Sequence, residues 1–208
     1  MMDIVLGIDF DNTLVSYDEP MYAVARERGL IAEDVLKSKK EIRDTIRQLD
    51  QGENQWQKLQ AFVYGDGMKD AHLMEGVQAF LLRCKAEGIA VFIVSHKTQF
   101  ASMDIDRAVD LRQTALQWME NNKFFEKEGL DLKLENVFFE PTRQKKIERI
   151  ISLGCTHFID DLEETFAEGT FPHNIVKILF SSQSVGSKSN GMNVFQSWSK
   201  ISGSIFNN

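Results

Sequence analysis

The chain has 208 residues, enough for one compact domain or one domain with a modest insertion. Its 43% hydrophobic and 26% charged residues exclude global disorder, and a net charge of -7 argues against a nucleic-acid-binding surface. No apolar run approaches the ~20 residues of a membrane span, and Cys84 and Cys155 match neither a disulfide framework nor a zinc spacing. The start, MMDIVLGIDFDN, brings acidic residues too early for a secretory signal, so a reduced, cytoplasmic setting is expected.

The first buried run, residues 4–9 (IVLGID), reads as a strand and leads directly into Asp9-Phe10-Asp11-Asn12-Thr13. The next sixty or so residues are too long for a strand-to-helix crossover. They carry helical stripes at Ile42, Ile46 and Leu49, then at Trp56, Leu59, Phe62 and Val63, with a break at Asp50-Gln51-Gly52. Residues 16–68 are therefore expected to form a small helical cap inserted into a sheet domain made of 1–15 and 69–208. Met74, Val77, Phe80 and Leu81 predict a helix that stops at Gly88, followed by a strand at 89–95 (IAVFIVS). The long connection 99–136 predicts one crossover helix with Leu111, Ala115, Trp118 and Met119 on a face. A strand at 137–139 follows, then a helix with Ile147, Ile150 and Ile151 stopped by Gly154, and strands at 157–160 and 175–180. After a polar stretch (SSQSVGSKSNG), Val194, Trp198, Ile201 and Ile205 predict a terminal helix. These strands are almost unbroken in apolar residues, as strands covered on both faces are. The expectation is an α/β fold, a doubly wound, mainly parallel sheet of about five strands, with ligands bound beyond the carboxyl ends.

At that edge lie the residues with chemistry. Asp9 and Asp11 follow the first strand, and unit charges ~4 Å apart repel by ~4 kcal/mol at an effective dielectric near ~20. A turn-forming role for Asp11-Asn12 is the plain alternative. Asp160 and Asp161 end the fourth strand, and so many acids at one edge call for a divalent cation, with oxygen ligands pointing to Mg²⁺. Ser95 closes the second strand, where a hydroxyl can hold a phosphoryl oxygen. Lys145 and Lys146 open a helix, the wrong sign for its dipole. Ile150 and Leu153 follow Lys146 at helical spacing and aim it toward the sheet, with Lys145 in reserve.

The ordered set DFDNT, Ser95, Lys146 and Asp160-Asp161 resembles the haloacid dehalogenase superfamily of phosphohydrolases. The resemblance covers residues 1–15 and about 74–180. It implies Asp9 as nucleophile and Asp11 as general acid and base, with Ser95 and Lys146 binding the phosphoryl group. It also implies Mg²⁺ held by Asp161, Asp160, the nucleophile Asp9 and the Asp11 backbone carbonyl. Thr13, the last residue of the first motif, and His96, beside Ser95 but outside the family's pattern, are expected to add phosphate contacts. Lys97 reads either as a substrate contact or as a solvated lysine. Where the family's last motif has an acid four residues after the metal-binding Asp, Asp161 has Thr165 and Asp160 has Glu164, so the direct ligand stays open. The family's dehalogenases lack the second Asp, so Asp11 points to phosphate esters.

The expected activity is Mg²⁺-dependent hydrolysis of a small phosphorylated metabolite through an aspartyl phosphate, with no nucleic acid or membrane as partner. Nucleoside monophosphate hydrolysis and a catalytically inactive binding protein of the same fold are the alternatives. A phosphorylation-switch receiver would place its acidic pair first and its nucleophile second, the reverse of the order found.

Overall fold

The computed structural model describes residues 4–102, 109–181, 188–189 and 191–207. In chain order its strands and helices are β1 (Val5–Ile8), β2 (Val15–Ser16), α1 (Asp18–Glu27), α2 (Lys39–Ile46), α3 (Gly52–Tyr64), β3 (His72–Leu73), α4 (Val77–Ala86), β4 (Ala90–His96) and α5 (Leu111–Asn121). There follow β5 (Val137–Glu140), α6 (Arg143–Ser152), β6 (His157–Asp160), α7 (Glu163–Ala167), β7 (Val176–Phe180), β8 (Lys188–Ser189), β9 (Met192–Phe195) and α8 (Trp198–Phe206). Chain packing divides them into two units: residues 4–15, 73–97 and the described part of 123–207, and residues 16–72 with the described part of 98–122.

The first unit is built on a seven-stranded sheet in the order β5-β4-β1-β6-β7-β9-β8. Every neighbouring pair is parallel except β8 against β9. The chain builds outward from β1 through β4 to β5, then returns to β6 on the other side of β1 and builds outward again. The crevice between β1 and β6 is the switch point where such sheets bind ligands. The sheet is larger than the five strands expected, because β9 joins it in parallel beside β7 and β8 pairs antiparallel with β9. Met192 and Val194 are buried while Asn193 and Phe195 are half-buried, an alternation of period two that makes Val194 part of a strand and not of the terminal helix. The helix begins at Trp198, where Ser197 caps it by accepting the Lys200 N–H. Most of the polar stretch before β9, residues 182–187 and 190, lies outside the described residues.

Glycines end the helices as the sequence predicts: Gly88 after α4 and Gly154 after α6 both have positive φ, 68° and 65°. On α6, Ile147 and Ile150 join a core with Val94, Phe158, Phe166, Phe171 and Leu179, whereas Ile151 turns outward. α4 and α8 pack together, with Phe80 against Trp198 at 4.9 Å and against Phe206 at 5.6 Å.

Gly7 in the middle of β1 shows why this position has no side chain. A Cβ there would stand 2.6 Å from the Phe158 ring and 3.0 Å from Cys155 Sγ. Gly7 pairs in register with Phe158, so the ring fills the space its neighbour vacates.

The second unit is helical. Ile42, Ile46, Trp56, Leu59 and Val63 are buried as their stripes predict, with Met21 and Ala25 of α1. Leu49, past the end of α2, and Phe62 are more exposed; the Phe62 ring lies under the Arg28 guanidinium at 4.8 Å. The break before α3 is a close approach, since a Cβ on Gly52 would meet the Ile46 carbonyl oxygen at 2.3 Å. α5 belongs to this unit and is not a crossover helix of the sheet domain. The apolar face that predicts the helix says nothing about its partner, and Trp118 Nε1 donates to the Ala71 carbonyl at 3.0 Å. The unit therefore runs to residue 72 and includes part of 98–122, beyond the insertion expected at 16–68. Among the described residues no helix is long and apolar enough to cross a membrane.

The Gly7–Phe158 fit generates a prediction. Gly7→Ala should cost about 1–3 kcal/mol in chemical denaturation by overpacking, and Phe158→Leu in that background should return part of the loss. A Gly7→Ala protein as stable as the parent would count against this packing.

Candidate active site

The register of β1 and β6 places the first two carboxylates together. Leu6, Gly7 and Ile8 pair with His157, Phe158 and Ile159, and the Asp9 N–H donates to the Ile159 carbonyl at 2.9 Å. One step further along, Asp9 and Asp160 stand side by side at the carboxyl ends of adjacent parallel strands. By the period of two, both share the face of Gly7 and Phe158. α6 lies on that face, with Ile147 and Ile150 in the same core as Phe158. Thr142 caps the helix by accepting the Lys145 N–H, which puts Lys146 in its first turn. Helical side chains lean toward the helix start, and Lys146 reaches the rim. Its Nζ donates to Asp9 Oδ1 at 2.6 Å and Asp160 Oδ2 at 2.7 Å, with 2% of the side chain exposed. Lys145 points away and pairs with Glu148.

The loop after β1 folds tightly. Asn12 takes a left-handed conformation (φ 59°), which asparagine tolerates better than most residues, and its N–H donates to the Val15 carbonyl. Phe10 is fully buried and meets Phe139 edge-on at 6.1 Å. Thr13 is buried, and its hydroxyl lies 3.4 Å from Asp161 Oδ1. Asp9, Asp160 and Asp161 each bring a carboxylate oxygen within 4.8 Å of the others. Asp160 commits both oxygens, one to Lys146 and one to the Leu162 N–H at 2.9 Å. Glu163 and Glu164 are exposed and stand outside this group.

Of the other expected residues, Ser95 is buried at the end of β4, whereas His96 points elsewhere and shares a hydrogen bond of 3.1 Å with the Pro141 carbonyl. Lys97 is neither solvated nor distant: it is buried, and its Nζ pairs with Asp11 at 2.9 Å. The sequence carried a signal for this. Residues two apart on a strand share a face, so Lys97 follows Ser95 to one side while His96 takes the other.

Burial is the main force on Asp9 and lifts its carboxyl to about 6, with Asp160 and Asp11 adding to the rise and Lys146 opposing it. For Lys146 burial disfavours the charge, but Asp160 and Asp9 outweigh it and hold the ammonium above its ordinary value. Partial desolvation lowers His96 despite its bond to Pro141.

The donor set suits a hard divalent cation, since it offers only carboxylate oxygens, converging from two strand ends. Ionised, the three acids against the single Lys146 ammonium leave a charge of -2, which one such cation would balance.

No family model matches the sequence, and no curated protein matches it. Among solved structures the chain is similar to a HAD-superfamily hydrolase from Ehrlichia chaffeensis, at 14% identity over 100% of this chain and 98% of that one, TM-score 0.52. It is similar to a haloacid dehalogenase-like family hydrolase from Streptococcus pneumoniae, at 14% identity over 86% and 85% of the two chains, TM-score 0.56. A HAD family hydrolase from Deinococcus radiodurans R1, solved with bound phosphate and sodium, matches at 14% identity over 99% and 96%, TM-score 0.52. The chain thus has the α/β fold of the haloacid dehalogenase superfamily.

Two outcomes are expected of the rim. Lys146→Met leaves two buried carboxylates uncompensated and should cost about 3–5 kcal/mol of stability in metal-free denaturation; a loss under ~1 kcal/mol would deny the bridge that role. Asp9 in the folded chain sits above its ordinary 3.8, so its stabilising contribution is full below that value and is lost as pH rises through about 6. With chelator present, the melting temperature of Asp9→Asn relative to the parent should therefore be higher at pH ~8 than at pH ~4.5. A difference independent of pH would exclude this account.

Proposed function

We propose that this chain is a Mg²⁺-dependent phosphohydrolase that acts on a small phosphorylated metabolite through an aspartyl-phosphate intermediate. The observation that carries the reading is the placement of Asp9. It is a buried carboxylate at the switch point of the sheet, held by one oxygen to Lys146 and grouped with Asp160 and Asp161. A carboxylate there without chemistry to perform would be a poor choice for stability.

Asp9 and Asp161 are the residues we assign to hold Mg²⁺, with Asp160 bracing Lys146 and close enough to contribute. When bound, the cation supplies positive charge that offsets the repulsion between Asp9 and an anionic phosphate. The chain's own groups do the rest. An Asp9 oxygen attacks phosphorus, forming the O–P bond as the bond to the leaving oxygen breaks. Lys146 steadies Asp9 and faces the transferring oxygens, Ser95 lines the same rim, and Thr13 orients Asp161. Asp11 gives its proton to the departing alkoxide, then takes one from the water that attacks the aspartyl phosphate. Hydrolysis releases inorganic phosphate and restores Asp9.

We assign a small phosphorylated ligand as the substrate. Cys84 and Cys155 are both free, buried thiols, in keeping with the reducing cytoplasm where we place the activity.

A panel of phosphorylated metabolites, nucleoside monophosphates included, should reveal Mg²⁺-dependent phosphate release. Chelation should abolish it, and Asp9→Asn should lower it at least ~10³-fold with no covalent phosphoprotein on acid quench. Full Mg²⁺-dependent turnover by Asp9→Asn would overturn the reading.

A further inference from the structure

Asp11 is met by a lysine of its own side of the rim. Lys97 Nζ lies 3.0 Å from Asp11 Oδ1 and 2.9 Å from Oδ2. An ammonium placed nearly equally on both oxygens fixes the rotation of a carboxylate as well as its position. The two partners differ in exposure, with 3% of the Lys97 side chain accessible against 19% for Asp11. A buried cation is thus brought up to a carboxylate that still reaches solvent.

Lys97 is itself held firmly. Its N–H donates to the Glu140 carbonyl at 3.0 Å, carrying the β4–β5 ladder one step past the His96–Glu140 pair. Glu140 is tied in turn to Arg149 at 2.8 Å, and His96 to the Pro141 carbonyl. The ammonium lies 5.9 Å from the centre of the buried Phe10 ring, which packs against Phe139. Stability alone gives little reason for this arrangement. Desolvating a lysine is costly, and a pair open to water on one side returns little.

We propose that Lys97 is a positioning residue that holds the Asp11 carboxyl in the orientation from which it exchanges a proton with the leaving oxygen. The inference rests on the phosphohydrolase reading and adds a residue to it. As the bond from phosphorus to the leaving oxygen breaks and the Asp9 oxygen bonds to phosphorus, the Asp11 proton passes to the alkoxide. In the second step water oxygen bonds to phosphorus, the Asp9–phosphorus bond breaks, and the water proton returns to Asp11. Only the first transfer depends on the leaving group: an alkoxide needs the proton, whereas 4-nitrophenolate departs without it. Loosening Asp11 must therefore penalise alkyl esters more than aryl esters.

The test measures kcat and KM for 4-nitrophenyl phosphate and for an alkyl phosphate that the parent hydrolyses, with Mg²⁺ present. The variants are Lys97→Met, Lys97→Arg, Asp11→Asn and the Lys97→Met/Asp11→Asn pair. Lys97→Met should lose at least ~10-fold more on the alkyl ester than on the aryl ester, in kcat and not in KM. Asp11→Asn should show the same bias at ~10²-fold or more. The double variant should be no worse than Asp11→Asn, because both changes act through the same carboxyl group, and Lys97→Arg should recover most of the loss. Lys97→Gln replaces Lys97→Met if the latter melts below the assay temperature. Equal losses on both esters, or losses that multiply in the double variant, would overturn the role of Lys97 and leave the phosphohydrolase reading standing. A parent that hydrolyses neither ester would overturn that reading, and this inference with it.

Discussion

Lys146 is enclosed between Asp9 and Asp160, and the rest of the sheet unit can be understood as the means of keeping it there. A lysine and two carboxylates taken out of water lose far more hydration than an apolar cluster of the same volume would. They are retained only if the backbone brings them to hydrogen-bond distance without freedom to drift. Three local choices secure this. The parallel register sets Asp9 beside Asp160, Gly7 leaves room for the Phe158 ring beneath them, and Thr142 starts α6 so that Lys146 lies in its first turn. The Phe158 ring centre is 5.3 Å from the Lys146 ammonium, so the core residue that fills the space at Gly7 also faces the cation.

Much of this was legible in the order of residues along the chain. Unbroken apolar runs marked strands buried on both faces, and the carboxylates directly after two of them marked a shared rim. The choice between Lys145 and Lys146 followed from helical spacing, because Ile150 four residues on is a core residue while Lys145 shares no such face. What escaped was set by partners distant in sequence. Val194 fits a helical stripe and a strand equally well over so short a window, and only pairing with β7 decides. The face of α5 was clear, but an apolar stripe does not name what covers it. His96 looked like a phosphate contact by proximity to Ser95, yet alternation along β4 turns it to Pro141 and brings Lys97 round to Asp11.

The two lysines divide the rim. Lys146 answers the buried carboxylates that the first strand and the sixth bring together, and Lys97 answers Asp11, a carboxylate still partly open to solvent. Each is anchored by a different element, α6 for one and the extension of β4 for the other. The nucleophile candidate and the proton-transfer candidate are therefore held independently, although only Phe10 separates them in sequence.

The loop bearing both aspartates has one more tether, from the far end of the chain. Trp198 Nε1, on α8, donates to the Thr13 carbonyl at 3.1 Å across 185 positions of sequence. During synthesis the ribosome must release Trp198 before this bond can close, long after β1 and its loop have emerged. Until then the nascent protein carries this loop without that brace, so the loop is fully tethered only once α8 has docked.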